Sequence, residues 1–224
     1  MTNQPEPVTW RDREVPVSAR FDDPYFSLDD GLAETRHTFL AGNGLPDRFR
    51  DGFHVAELGF GTGLNLLATL ALWRASGAPG TLHFTTFEAF PMAPADMIRA
   101  QGAFPDLAGI AAELAPMWQS GARSFDLPGL AFTMIPGDAR DTLPGWCGAA
   151  DAWFLDGFSP AKNPELWGAE LMTQVARHMA PGGTAATYTA AGHVRRALQA
   201  AGLAVTRLPG YGRKRHMTRA ERPE

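Results

Sequence analysis

The segment Glu57-Leu58-Gly59-Phe60-Gly61-Thr62-Gly63-Leu64-Asn65 restricts this chain more than any other. It follows a short apolar run, His54 to Leu58, that reads as a buried strand. It opens Leu64 to Ala75, a strong helix former closed by Gly77 and Pro79. Glycines in such a turn let the backbone come close to a ligand. The helix start that follows presents unpaired N–H groups. A strand, a glycine turn and a helix in this order commit the region to the first half of a βαβ unit.

The rest of the chain continues the alternation. Thr81 to Phe87, Leu130 to Ile135, Asp151 to Leu155 and Thr184 to Thr189 read as strands. Pro94 to Gln101, Leu107 to Trp118, Pro164 to Ala180 and His193 to Ala201 read as helices. Strands interleaved with helices predict a mostly parallel sheet covered on both faces. Leu203 to Leu208 and Arg215 to Thr218 are joined by a connection too short for a parallel crossover, so they predict a C-terminal antiparallel hairpin. The expected fold is α/β and Rossmann-like, with a seven-stranded, mostly parallel sheet. An antiparallel strand at the end of such a sheet distinguishes class I methyltransferases from dehydrogenases, by analogy between folds. Residues 1–50 are mixed in pattern, with weak helical spacing over Gly31 to Leu40. They are expected to pack on the core formed by residues 51–224, as one protein of a single domain.

With 224 residues, 45% of them apolar, the chain can bury a full core. No apolar run is long enough to predict a membrane span, and the polar start MTNQPEPVTWRDREVPVS lacks the apolar stretch of a signal peptide. Cys147 is the only cysteine, which excludes an internal disulfide and argues against a cysteine zinc site. The six histidines form no set with metal-ligand spacing, so no metal is expected. These features favour the cytoplasm. Net charge is −4, but its distribution is uneven. After Gly192, Arg195, Arg196, Arg207, Arg213, Lys214, Arg215, Arg219 and Arg222 are opposed only by Glu221 and Glu224. A basic end on an otherwise acidic chain fits either a phosphate-contacting surface or a solubilising tail.

The candidate site residues fall at strand ends, where open α/β sheets bind ligands. The glycine spacing is G-x-G-x-G rather than the dinucleotide G-x-G-x-x-G, and Glu57 precedes it. An acid there repels a pyrophosphate and suits a cofactor bearing an ammonium. Glu88 ends the second strand, where a carboxylate can accept hydrogen bonds from both ribose hydroxyls. Asp138, in Pro136-Gly137-Asp138-Ala139-Arg140, can meet an adenine amine or simply cap a helix. Asp156 follows Trp153-Phe154-Leu155 directly, so its charge is partly desolvated. Phe158 can stack on a base or pack in the core; Lys162 can meet a phosphate or stay solvated. No G-x-S-x-G elbow supports a hydrolase.

Three stretches together are similar to a known family. They are Glu57 to Asn65, the run Asp151-Ala152-Trp153-Phe154-Leu155-Asp156-Gly157-Phe158-Ser159-Pro160-Ala161-Lys162-Asn163-Pro164, and Gly210-Tyr211-Gly212-Arg213-Lys214-Arg215. They resemble the methyltransferase domain of the MnmC family, as do Phe21 to Phe39 and Val194 to Leu198. The resemblance runs from about Arg20 to Met217, and the stretch around Asp156 is its most specific part. It implies transfer of a methyl group from S-adenosylmethionine to the amine of 5-aminomethyl-(2-thio)uridine at the wobble position of tRNA, so the implied partner is the tRNA anticodon stem-loop. Glu57, Gly59, Gly61, Gly63, Asn65, Glu88, Asp138, Ala139 and Asp156 are implied in cofactor binding, and Asp156 also in catalysis. Phe26, Phe158, Lys162, Asn163, Arg213, Lys214 and Arg215 are implied in substrate binding, and residues 1–50 in contact with the tRNA. Family members often carry a flavin-dependent oxidase domain as well. This chain stops soon after Met217, so the expectation is a methyltransferase without FAD, either stand-alone or a piece of a longer protein, with a separate oxidase as candidate functional partner. Two other readings remain open on the residues: a nicotinamide-dependent oxidoreductase on the same kind of sheet, opposed by the glycine spacing and Glu57, and a non-catalytic RNA-binding module, opposed by acids at three strand ends.

Overall fold

In the computed structural model the described residues are 7–11, 15–27 and 30–223. The parts of the expected N-terminal segment at 1–6, 12–14 and 28–29 lie outside them. That segment forms a small antiparallel sheet of β1 (Val8–Arg11), β2 (Val15–Ser18) and β3 (Asp23–Pro24). Helix α1 (Gly31–Thr35) follows, its first turn capped by Asp30, whose carboxylate accepts from Ala33 N at 2.9 Å. The helix widens into a π turn over Arg36–Leu40. Arg48 then fastens this region to the main sheet by donating to the carbonyls of Asn43, Asp151 and Gly182 and to Thr184 Oγ1.

The main sheet is built from β4 (His54–Leu58), β5 (Leu82–Glu88), β6 (Ser124–Leu127), β7 (Leu130–Pro136), β8 (Ala150–Leu155), β9 (Met179–Thr187), β10 (Ala204–Pro209) and β11 (His216–Glu221). Their order is β10-β11-β9-β8-β4-β5-β7-β6. The five central strands, β9 to β7 in that order, are parallel, and β11 runs antiparallel to both β9 and β10. The expected C-terminal hairpin is therefore present. The sheet has eight strands rather than the seven expected. The addition is β6, which pairs antiparallel with β7 as an edge hairpin closed at Pro128-Gly129. At four residues, half of them exposed, β6 gives almost no hydrophobic signal.

Side chains alternate across the sheet because the strand period is two. Val55, Ala152 and Phe154 enter one core, beneath α2 (Leu64–Ser76), α3 (Pro94–Gln101) and α4 (Ala108–Gln119). Ala56, Leu58, Trp153 and Leu155 enter the other, beneath α5 (Ala139–Thr142), α6 (Ala169–Arg177) and α7 (Gly192–Ala200). Burial on both faces explains the continuous apolar runs in β4 and β8. The single helix expected over Pro164 to Ala180 is instead a 3₁₀ turn (Pro164–Trp167) and α6, broken at Gly168, whose backbone is extended (φ −69°, ψ 152°). Strand β9 then begins at Met179, well before the expected Thr184. Among the described residues no helix is long and apolar enough to cross a membrane.

Candidate functional site

Strands β4 and β8 lie side by side at the centre of the sheet, and beyond their C-terminal ends opens a cavity of about 910 Å³. That volume suits a ligand the size of a nucleoside conjugate. One wall is the glycine turn. Gly59 (φ 82°) and Gly61 (φ 53°) both hold left-handed backbone that disfavours a side chain. A Cβ at Gly59 would stand 3.1 Å from the Asp156 carbonyl oxygen, and one at Gly61 would stand 3.0 Å from the Tyr25 ring. Both glycines line the cavity, so the turn meets it as bare backbone.

Glu88, at the end of β5, holds this turn. Its Oε2 accepts from Phe60 N at 2.8 Å and Gly61 N at 3.1 Å, while Oε1 accepts from Phe90 N at 2.7 Å. The carboxylate expected to meet a ribose thus also shapes the wall on which a ribose would rest. Asp138 caps α5 and makes a fork with Arg140, which holds its carboxyl below the usual range. The capping reading of Asp138 is the one seen, and both Asp138 and Ala139 also line the cavity.

Two of the expected cofactor residues stand behind the wall. Gly63 is the N-cap of α2 and does not line the cavity. Glu57 is fully buried and its Oε1 accepts from Asn65 Nδ2 at 2.9 Å. Burial pushes its carboxyl well up, and the side chain does not reach the cavity. The reason lies in the strand period: Glu57 precedes the turn and points into the packed layer between β4 and α2. Asn65 connects it to the cavity, since the same Nδ2 donates to Asp156 Oδ2 at 2.8 Å. Asn65 Oδ1 accepts from Thr35 Oγ1 at 2.9 Å, which fixes the orientation of the side-chain amide.

Asp156 emerges from β8 facing the cavity. Its Oδ1 accepts from Gly157 N at 2.8 Å. Burial, reinforced by the Glu34 carboxylate, raises its carboxyl to about 6 against the opposing pull of these hydrogen bonds and of Lys214. A carboxylate so placed is ionised at neutral pH and still basic enough to receive a proton.

The opposite wall comes from distant parts of the chain. Phe21, Tyr25 and Phe26 arrive from the N-terminal segment, Glu34 and Thr35 from α1, Tyr188 from beyond β9, and Arg213 and Lys214 from the hairpin turn. Phe158 stacks on Phe21 (centroids 4.7 Å apart) and meets Tyr25 edge-on. Lys162 donates to the Asp22 carbonyl and pairs with its carboxylate at 3.1 Å, while Ser159 N donates to Asp23 Oδ2 at 2.8 Å. The loop after Asp156 therefore carries the N-terminal segment as a roof, and Lys162, an exposed side chain that also lines the cavity, is held by Asp22. Asn163 lines the cavity; Arg215, on the exposed turn, does not. Reading the sequence missed Tyr25, Glu34, Tyr188 and Phe90. Phe90 is the one large apolar side chain exposed among the described residues, beneath the Arg20 guanidinium at 4.2 Å. An aromatic left exposed at a rim was recognisable only once its neighbours were known.

Residues 106–223 match the family model of an S-adenosyl-L-methionine-dependent methyltransferase. The chain is 48% identical, over 98% of its length, to the tRNA 5-methylaminomethyl-2-thiouridine biosynthesis bifunctional protein MnmC of Caulobacter vibrioides, and 44% identical, over 94%, to that of Hahella chejuensis. It spans 38% and 36% of those relatives. Among solved structures, MNMC2 from Aquifex aeolicus superposes with a TM-score of 0.75 at 23% identity, covering 99% of this chain and 73% of that one. TrmN from Thermus thermophilus does so at 0.52 and 20%, covering 81% and 47%. These likenesses support the fold, and the family match disfavours the nicotinamide and non-catalytic readings. Glycine turn, buried carboxylate at the β5 end and antiparallel β11 accord with that match: the chain belongs to the S-adenosyl-L-methionine-dependent methyltransferase family.

Proposed function

We propose that this chain methylates the primary amine of 5-aminomethyl-(2-thio)uridine at the wobble position of tRNA, giving 5-methylaminomethyl-(2-thio)uridine, in the cytoplasm. The observation that carries the reading is Asp156, a desolvated carboxylate facing the cavity between the glycine turn and the roof. The similarity to relatives named for 5-methylaminomethyl-2-thiouridine biosynthesis supplies the substrate.

The cofactor supplies an electrophilic methyl group on a positively charged sulfur. Gly59, Gly61, Asn65, Glu88, Asp138 and Ala139 would hold it, with Glu57 acting through Asn65 from behind the wall. The substrate nitrogen needs a free lone pair, yet an alkylamine comparable to lysine titrates near about 10.4. Freeing it at pH 7 costs about 5 kcal/mol. Asp156 accepts the hydrogen bond of the amine, aims its nitrogen along the line of attack and receives the proton as the N–C bond forms and the S–C bond breaks. Asn65 and Gly157 N fix the rotation of that carboxylate. Phe21, Tyr25 and Phe158 exclude water above it. Phe90, Arg213 and Arg215 stand where an extruded base and its flanking phosphates of the anticodon loop would lie.

In the domain organisation that goes with this reading, residues 51–224 belong to the methyltransferase, and within residues 1–50 the described segment that carries Phe21 and Tyr25 packs on it as the roof and touches tRNA. A flavin-dependent oxidase is the functional partner that would supply the amine. The direct test is to incubate the protein with S-adenosylmethionine and tRNA carrying 5-aminomethyl-2-thiouridine, then digest and weigh the nucleosides. Conversion to the methylaminomethyl form is expected; an unchanged nucleoside with the cofactor bound would remove this substrate.

A further inference from the structure

Lys214 occupies an unusual place. It sits on the exposed turn between β10 and β11, beside Arg213 and Arg215, where a phosphate-binding lysine would be expected. Its ammonium instead turns inward. It pairs with Glu34 Oε1, a carboxylate buried on α1, and lies over the Tyr188 ring at 4.3 Å from the centroid. Tyr188 is itself fixed, its hydroxyl donating to the Gly157 carbonyl at 2.7 Å. A buried carboxylate, the face of an aromatic ring and the carboxylate of Asp156 nearby make a site for a cation. Glu34, Tyr188, Lys214 and Asp156 all line the same cavity.

We propose that Glu34, Tyr188 and Asp156 form the subsite for the alkylammonium of the substrate, and that Lys214 fills it as an internal surrogate until RNA phosphates draw the hairpin turn away. This inference rests on the amine-methylation reading and deepens it. Lys214 carries the same functional group as the substrate, a primary ammonium on a flexible alkyl chain, and satisfies the same partners. Its side chain is 43% exposed against 12% for Glu34, so the lysine can leave while the carboxylate stays. A phosphate near Arg213 and Arg215 competes with Glu34 for it. The subsite then opens when an RNA backbone is docked and stays closed to free amines. Apparent affinity for a free amine is lowered by the fraction of open sites.

The test compares two methyl acceptors, tRNA bearing 5-aminomethyluridine and the free nucleoside 5-aminomethyluridine, with wild type, Lys214→Met and the double variant Lys214→Met/Glu34→Gln. Cofactor affinity measured by calorimetry verifies that each variant is folded. Lys214→Met should bind the free nucleoside about tenfold more tightly than wild type, and the added Glu34→Gln should abolish that gain. Binding of the uncharged 5-hydroxymethyluridine should not change along the series. Nucleoside binding unaltered by Lys214→Met, or raised equally for the uncharged analogue, would overturn the surrogate role. If wild type leaves the tRNA amine unmethylated while Lys214→Met still gains charge-selective binding, the subsite stands and the proposed reaction falls.

Discussion

The two walls of the cavity are made differently. The cofactor side is a run of neighbouring residues around Gly59, Phe60 and Gly61, with the backbone amides of Phe60 and Gly61 held by one carboxylate, Glu88. The acceptor side is collected from the N-terminal segment, α1, the loop after β8, the end of β9 and the β10–β11 turn. Its charges are already paired with one another: Lys162 with Asp22, and Lys214 with Glu34. The first wall is chiefly preorganised backbone. The second is a set of side-chain pairs that an acceptor must exchange for its own. The difference separates a generic function, holding a methyl donor, from a specific one, admitting a single amine.

The sharpest way to break this division is at Asp156, which both walls share. Asp156→Asn should leave S-adenosylmethionine affinity near wild type and lower the methylation rate at pH 7 by about 10²–10⁴-fold. Calorimetry and single-turnover kinetics measure the two effects separately. If affinity for the methyl donor collapses together with the rate, Asp156 belongs to the cofactor wall.

Glu88→Ala tests the first wall alone. It leaves the amides of Phe60, Gly61 and Phe90 without their acceptor. Hydrogen bonds to a charged group contribute about 1.5–3 kcal/mol each, so cofactor affinity should fall by about tenfold or more, while tRNA affinity in a filter-binding assay stays the same. A parallel decline in tRNA binding would mean that the walls are not independent.

The pH dependence reports on the acceptor side. Asp156 must be ionised to receive a proton, and its carboxyl titrates at about 6. The rate should therefore fall as pH drops through that value, by roughly tenfold between pH 7 and pH 5 for a single group. In Asp156→Asn the inflection near pH 6 should disappear, leaving a steady rise with pH set by deprotonation of the substrate amine; an inflection that persists near pH 6 would assign it to another group.

The smallest effect is expected at the rim. Replacing Arg213, Lys214 and Arg215 with Ala should weaken tRNA binding and reduce its salt slope by about 0.7–0.9 for each phosphate that the turn no longer neutralises. An equal slope in parent and variant would show that the turn meets no phosphate.

How much of the molecule is legible in its sequence also divides along the two walls. Glycine spacing and strand ends single out Gly59, Gly61, Glu88, Asp138 and Asp156, all of which line the cavity, because each lies within a few residues of a pattern that fixes its position. Glu57 was placed in the cofactor site by its nearness in sequence. The strand period turns it instead into the layer behind, where only Asn65 relays its presence. The resemblance implies Lys214 in substrate binding; only the structure pairs it with Glu34, far away along the chain.

The sequence by itself determined the alternating α/β order, the parallel centre of the sheet, the C-terminal hairpin and the glycine turn. All of these follow from local periodicity, turn chemistry and connection length. Only the tertiary structure decided the eighth strand, the break at Gly168, the aromatic roof over Asp156 and the carboxylates that surround it. Those features depend on contacts between segments far apart in the chain. Side-chain direction and desolvation there are set by packing partners, which no local pattern encodes.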